Sequence, residues 1–592
     1  MLLIPGYGGA GAGVSVGSSI APVLVEAQLS AGVWSNLSPD VVISDGLSWR
    51  YGISGNGPLD NVAATGQLTF TLRNDKANSG STQGWYSPVH ASKRAGWAFG
   101  VLVRVVMTTG VGASVTSITR AGSVATVTTG APHGLSTGHT VLIAGAAEAE
   151  YNGVVTITST GASTFTYAVT GTPATPATGT IAHTRAYIKF IGKVRQILPH
   201  AGEQRTQKVE VVAYDYMADI LEADARALTL QVDQDEATLI QHLLSALPAA
   251  PSSRSLSSGV DRYPYAFDDV GAGQKGGALL KSIVQSAYGL AFVRGDGTFV
   301  YLNRHARGTA ASQATFSNTM LDVEVPSSLD GVFNHVRTTI HPKDLDDAEV
   351  VLYSASGRTS SIGAGATVTL WGEYQDPTNP TRLIGGLNAI TPVTVYTDYT
   401  ANIASDGIGD DHTADVAVMA TPFATTCKFE ITNSHTEPVF LTRLQIRGNG
   451  VYDDGPQTLE SSTPQAYGDQ PIDVDMPYQA NHFVGQSAAK FIDLQYQALA
   501  TQVQQMTFSA SRDSALLAQA MQREPGDVVT LSETMTGLAS VDVVIHGIAF
   551  EAQPGPILTC RWELAPASPF TNWWRLGSAG FSELGDTTRL GF

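Results

Sequence analysis

ATGQLTFTLRND, Ala64 to Asp75, sets Leu68, Phe70 and Leu72 on one side of an extended chain and Thr69 and Thr71 on the other, then stops at an Asn-Asp turn. A two-residue period of this kind reads as a half-buried strand, because successive Cβ atoms point to opposite faces of a sheet. The alternation returns in KVEVVAYDYMADIL, where Val209, Val211 and Ala213 line up before Asp215 opens a short helical turn. It returns near the end in VDVVIHGIAF and ILTCRWELAP, with Val543, Ile545, Gly547 and Ala549, then Leu558, Cys560, Trp562 and Leu564, on the apolar side. The fold class expected from these stretches is mainly β and multidomain.

Composition agrees with that expectation. The chain has 592 residues, well above the roughly 250–300 at which one hydrophobic core stops growing. Charged residues are 15% of the total and glycines number 60, a balance that favours packed strands and turns over long solvated helices. The net charge of -18 opposes contact with phosphate, so no specific nucleic-acid binding is expected. No apolar run reaches the eighteen or so residues of a membrane span. The N-terminal apolar stretch lacks a basic flank and is broken by Pro5 and Gly6, unlike a secretory signal. Cys427 and Cys560 sit in differently patterned segments and are expected as buried free thiols.

Between the first two strand patterns lies a segment rich in Thr, Val, Ala and Gly, from about Ser114 to Ile181. VATVTT, HTVLIAG, GVVTITST and TFTYAVTG are its strands, and the host pattern resumes at YIKFIGKV, from Tyr187. It is expected to be an inserted small β-domain whose ends lie close together.

Helical signals start after residue 230. Asp233 with Glu236 resembles a capping box, followed by a stripe of Ala237, Ile240, Leu243, Leu244 and Leu247 that stops at Pro248. Leu279, Leu280, Ile283, Val284 and Ala287 form a second stripe ending at Gly289, and LAFVRGDGTFVYLNR reads as a hairpin around Gly295-Asp296-Gly297. Further strands fit a sandwich from Ala366 to Ile446. One more helix is expected near Asn481 to Ala500, with Val484, Ala488, Phe491, Ile492 and Leu499 inward.

No motif carries chemistry. Gly6, Gly8 and Gly11 satisfy G-x-G-x-x-G, and Gly13, Ser15 and Gly17 satisfy G-x-S-x-G, but neither has the strand before it and helix after it that the motif requires. Both belong to a glycine-rich arm suited to reaching a neighbouring subunit. Asp406 to Asp415 gathers four aspartates and His412 without the order of a Ca²⁺ loop and reads as a solvated turn. His133 and His139 have no third ligand in view and are given turn or surface roles. No catalytic, cofactor-binding or metal-ligating residue is assigned, no cofactor is expected, and the chain is not expected to be an enzyme.

Several stretches, in this order, resemble the central hub proteins of bacteriophage tail tips and baseplates: ATGQLTFTLRND with GWYSPVH, YIKFIGKVRQILPH with VEVVAYDYMADIL, ALLKSIVQSAYGLAFVRGDGTFVYLNR, LDVEVPSSLDGVFNHVRTTI, FEITNSHTEPVFLTRLQIRGNGVY and REPGDVVTLSE. That family includes the trimeric hub of contractile-tail phages and its siphophage relatives. The resemblance implies two hub-type β-barrels, the first from residues 1–113 and 182–226 and the second, with a helix, from 311–345 and 478–570. Around them stand the inserted domain at 114–181, a small α/β module at 227–310, a β-sandwich at 346–477 and a C-terminal tail at 571–592.

It further implies a homotrimer at the distal end of the virion tail, adapting a hexameric tail tube to a threefold tip. Partners would be distal tail and tail-tube proteins, the tape measure protein, and tail fibres or a central spike. The insert is similar to small β-domains on tail and fibre proteins that are suspected of touching host glycans, with Tyr151, Phe165 and Tyr167 as its aromatic candidates. Many siphophage hubs continue into a peptidase, lysozyme or fibre-like part, whereas this sequence stops soon after its final strands. Cell-wall digestion is therefore expected of another protein. Two other classes make different demands: a carbohydrate-active depolymerase needs a carboxylate pair, and a bacterial surface adhesin needs a secretion signal and an anchor.

Overall fold

The strand read from Ala64–Asp75 spans Gln67–Arg73 in the computed structural model, and Leu68, Phe70 and Leu72 are fully buried as their period requires. The structure describes residues 23–567, apart from 111, 203–206, 272, 327–328, 356–360, 391–395, 498–502 and 555–556. The glycine-rich arm with its two motifs, Leu499 and the tail at 571–592 lie outside the described residues.

Two strand sets make up the host sheet. The first is β1 (Val23–Ser30), β2 (Val33–Asn36), β3 (Leu47–Gly52), β4 (Gln67–Arg73), β5 (Leu102–Thr108), β6 (Gly179–His200) and β7 (Lys208–Tyr214). The second is β8 (Thr315–Ser317), β9 (Asp322–Glu324), β10 (Gln505–Ser509), β11 (Val528–Glu533), β12 (Leu538–Gln553) and β13 (Ile557–Pro566). Pairing runs β2-β1-β5-β6-β7-β4-β3 and then crosses to β12-β13-β10-β9. One edge of β12 carries β13; the other carries β11 on its first half and β3 on its second.

The mainly β, multi-sheet architecture is as the alternation indicated. The two expected barrels are not closed among the described residues. The edge of β3 that would seal the first set is hydrogen-bonded to β12 from Leu47↔Ala552 to Gly52↔Gly547. Both sets consequently share one core, in which Trp49, Phe70 and Val211 meet Phe508, Ile545 and Trp562, and Trp49 stacks on Phe550 at 4.8 Å. A bulge between Ile545 and Gly547 also corrects the phase read for this strand. The extra residue swaps the faces, so Ile548, Phe550 and Ala552 enter the core and Ala549 does not.

β6 is 22 residues long and serves four partners, among them the insert strand Ala113–Ala121, met at Ala182 and His183. Its first part pairs with the insert strand Thr140–Ala146, its middle with β5 and its end with β7. The insert encloses its own core of Ile118, Val127, Val141, Ile143 and Phe165, and touches the host through Leu142 packed with Leu24, Val106 and Ala186. Tyr151, Phe165 and Tyr167, the aromatic candidates for a glycan platform, are 0%, 0% and 4% exposed. The two tyrosine hydroxyls are engaged inside: Tyr167 donates to the Tyr151 carbonyl and Tyr151 to the Ala174 carbonyl.

Thr108 and Ala186 stand opposite each other across β5 and β6. Excising the residues between them and closing with a short turn should leave a single cooperative urea transition, because adjacent ends cost little closure entropy. The midpoint should fall, since Leu24 and Val106 lose Leu142. A product without a cooperative transition by circular dichroism would count against separability.

The core of the α/β module, expected from residue 227 onward, also takes in α1 (Tyr216–Glu222) through Met217 and Ile220, packed with α2 (Glu236–Ala246) and α3 (Gly276–Ala287). Asp215 caps α1 by accepting from Met217 N–H. α2 is capped by Asp235, whose carboxylate accepts from Thr238 N–H; Asp233, read as the cap, lies at φ 49° and pairs with Arg262 instead. Glu236 turns inward, fully buried, to accept from Val260 and Asp261 N–H. The left-handed end of α3 falls on Tyr288, φ 53°, one residue before Gly289.

His335–Ile340, expected with the second barrel, pairs instead with Gln457–Ser462 and Pro471–Met476. α4 (His482–Tyr496), capped by Asn481, joins Ala488, Phe491 and Ile492 to that sheet's core. α5 (Ser514–Gln522) packs into the shared core of the two strand sets. A last core, around Leu352, Tyr374, Cys427, Phe429 and Ile446, fills the sandwich. Cys427 and Cys560 are both buried free thiols.

Candidate functional site

The junction of the two strand sets is built on a lysine that a sequence reading would place in solvent. In β6 the register slips between Ile188 and Phe190, so Lys189 is the extra residue of a bulge. Re-aimed in this way, its side chain is fully buried. Nζ donates to the Arg523 carbonyl at 2.7 Å and to Glu524 Oε1 at 2.6 Å. The other oxygen of Glu524 accepts from Gly295 N–H at 3.3 Å, at the tip of the hairpin between Leu290–Val293 and Phe299–Leu302. Tyr51 and Phe550 place their rings 5.7 and 6.0 Å from the ammonium. One ion pair thus joins the first strand set, the second set and the α/β module.

Electrostatics follow from burial. Desolvation raises the Glu524 carboxyl while the Lys189 charge pulls it back. Burial beside Glu524 pushes the Tyr51 phenol well above its ordinary value. Gly295 is required here, since a Cβ would stand 2.8 Å from the backbone of Lys189.

His546 sits on the bulge of β12, 1% exposed, with Nδ1–H donating to the Gly55 carbonyl at 3.0 Å. Burial, and then the charge of Arg307, lowers its pKa to about 3. The folded chain therefore holds it neutral while the unfolded chain protonates below about pH 6.5. Stability from this group is complete above that pH and is lost as pH falls toward 3. Between pH 7 and pH 5 the wild type should lose about 2 kcal/mol more than His546→Gln, read from urea midpoints at each pH; parallel profiles would refute the assignment.

Over the opposite face of the same junction runs a cleft of about 400 Å³, lined in part by Ser48, Arg50, Gln67, Thr507, Glu551 and Arg561. Register sets Arg50 and Arg561 on either side of Ala549. Glu551 and Glu563 both border this region. Glu563 is opposite Gly547 and Glu551 opposite Thr559, so their backbones are four residues apart along the sheet, about 13 Å.

The aspartate-rich run is mostly committed to turns. Asp406 accepts from Ile408 N–H, and Asp411 from the Thr413 N–H and hydroxyl. His412 and Asp415, however, are joined by His435, a residue the sequence reading passed over because it lies on another turn. His133 and His139 hold turns, accepting from Leu135 and Ser136 N–H. No helix among the described residues is long and apolar enough to cross a membrane.

Fold and junction together define a scaffold class: two β-strand sets fused through one ladder and bolted by buried polar groups. No protein-family model matches the sequence, and no curated protein matches it. Among solved structures, the chain is similar to a 43 kDa tail protein of prophage MuSo2 from Shewanella oneidensis, at TM-score 0.42 and 8% identity over 93% of this chain and 99% of that one. It is similar to a tail protein from Neisseria meningitidis MC58, at TM-score 0.40 and 9% identity over 92% and 96%. A prophage tail protein from Listeria monocytogenes EGD-e gives TM-score 0.35 and 9% identity over 91% and 94%.

Proposed function

We propose that the chain is a structural, non-enzymatic hub subunit at the distal end of a phage tail, three copies closing a ring that adapts a hexameric tail tube to a threefold tip. The observation that carries this reading is the side-by-side fusion of two strand sets through β3 and β12. Each set holds one long bulged antiparallel pair, β6–β7 and β12–β13. Three chains then supply six comparable units, the number needed to meet a sixfold tube, while the ring itself keeps threefold symmetry. The path ends in two short strands, β2 and β9, whose outer edges carry no further strand among the described residues and give neighbouring copies a place to pair.

Distal tail and tail-tube proteins, the tape measure protein and a spike or fibres are the partners this ring would engage.

Mass photometry of the full chain tests the proposal directly. The expected species is three times the 62.1 kDa protomer, and a cryo-EM map should show a ring with the two strand sets of each copy alternating around a lumen. A monomer at micromolar concentration, or a subunit placed off the tail axis in virions, would sink it.

A further inference from the structure

His412 lies between the strands Tyr399–Asn402 and Val416–Pro422, and His435 on the turn between Thr426–Asn433 and Phe440–Asp453. These two turns meet at one end of the sandwich. His412 Nδ1 and Asp415 Oδ2 are 2.9 Å apart, the two imidazole rings are 3.9 Å apart between centroids, and one donor atom from each of the three residues lies within 4.8 Å of the others. We propose that His412, Asp415 and His435 form a binding site for one divalent transition-metal ion of the zinc or cobalt type, pinning the two turns together.

Distances come first. Ligands about 2.0–2.1 Å from a shared tetrahedral zinc stand about 3.3 Å apart. The His412–Asp415 pair is already near that separation, so a rotamer adjustment at His435 completes the set. Binding exchanges two contacts for the ion. The Nδ1 proton of His412 moves to Nε2, and His435 gives up the 3.2 Å bond it accepts from Glu437 N–H.

The backbone beneath these ligands is held independently of them. Ser434 donates from its N–H at 2.8 Å and its hydroxyl at 2.7 Å to the Asp415 carbonyl, which ties one turn to the other. Asn433, fully buried, donates to the carbonyls of Ile362, Gly363 and Glu437 and accepts from His435 N–H. Thr413, 1% exposed, accepts from Ala401 N–H on the other side. Such second-layer support fixes where the ligands point and lowers the ordering cost of binding.

Ligand chemistry selects the ion. Two imidazoles with one carboxylate suit borderline metals, whereas Ca²⁺ and Mg²⁺ take oxygen sets. Asp415 is the one carboxylate grouped with the two imidazoles, while Asp406 and Asp411 each give Oδ1 to a turn hydrogen bond. All three ligand residues are partly exposed, which leaves the remaining coordination positions to water.

The test is a titration of the tag-free full chain with zinc chloride by calorimetry, together with the visible spectrum of the Co²⁺ form. Wild type should bind one Zn²⁺ per chain, show Co²⁺ d–d bands and gain melting temperature with zinc. His435→Gln and Asp415→Asn should each lose at least tenfold in affinity while keeping the metal-free melting temperature of the wild type. The His412→Gln/His435→Gln double variant should bind no Zn²⁺ at this site. Because the chain has thirteen histidines, zinc uptake alone decides nothing. Equal affinity and stoichiometry in wild type and double variant, no uptake by wild type, or Ca²⁺ raising the melting temperature as much as Zn²⁺ would each overturn the proposal.

Discussion

Lys189→Met is expected to lower the unfolding free energy by about 3–5 kcal/mol, the range for removing one partner of a buried ion pair. Lys189 is fully buried and its carboxylate partner Glu524 is 21% exposed, so the anion left behind is only partly rehydrated. The penalty falls on the contact between strand sets, because Glu524 belongs to the loop between α5 and β11 and Lys189 to β6. Glu524→Gln should cost less, since a neutral amide still accepts from the ammonium. The double variant Lys189→Met/Glu524→Gln should be more stable than the sum of the single losses predicts. Urea denaturation of the four proteins closes the cycle, and a loss under about 1 kcal/mol for Lys189→Met would mean that the pair is no more than a surface contact.

Gly52→Ala should cost about 2–4 kcal/mol, combining backbone strain with overpacking. Gly52 has φ 95°, and a Cβ there would stand 2.5 Å from the His546 carbonyl oxygen and 2.9 Å from Gly547 Cα. Gly52 and Gly547 face each other at the last rung between β3 and β12, where any side chain forces the two sets apart. Gly32→Ala is the control: its φ is 74° but a Cβ there would have open space around it, so it carries only the strain, about 1 kcal/mol. Similar midpoints for the two variants would show that the close approach at the junction carries no weight.

Strand patterns were legible because each strand of the host buries one face. Leu68, Phe70 and Leu72, or Val209, Val211 and Ala213, are inward for the reason their spacing gives. Helix positions were legible from their apolar stripes, although caps moved by a residue or two: Asp235 and Asp233 are both plausible, and only the tertiary pairing of Asp233 with Arg262 decides between them. Bulges were not legible. A strand containing one still alternates in the sequence on either side, so Ala549 was read as inward where Ile548 and Phe550 are, and Lys189 gave no sign of facing the core. The junction was also hidden, because its ion pair spans 335 residues and no local period reports a partner that remote. The same holds for the His412 cluster, whose third member sits on a separate turn.

The continuity of β6 bears on how load would travel through this molecule. Its 22 residues have a contour of about 70 Å, and Lys189 lies near the middle. A tug applied to the inserted domain is therefore delivered along covalent backbone, in shear against β5, straight to the bolt that joins the strand sets. There is no slack hinge on that side to absorb it. Mechanical work done on a peripheral domain arrives at the centre of the scaffold, with the Lys189–Glu524 pair as the element that yields or holds.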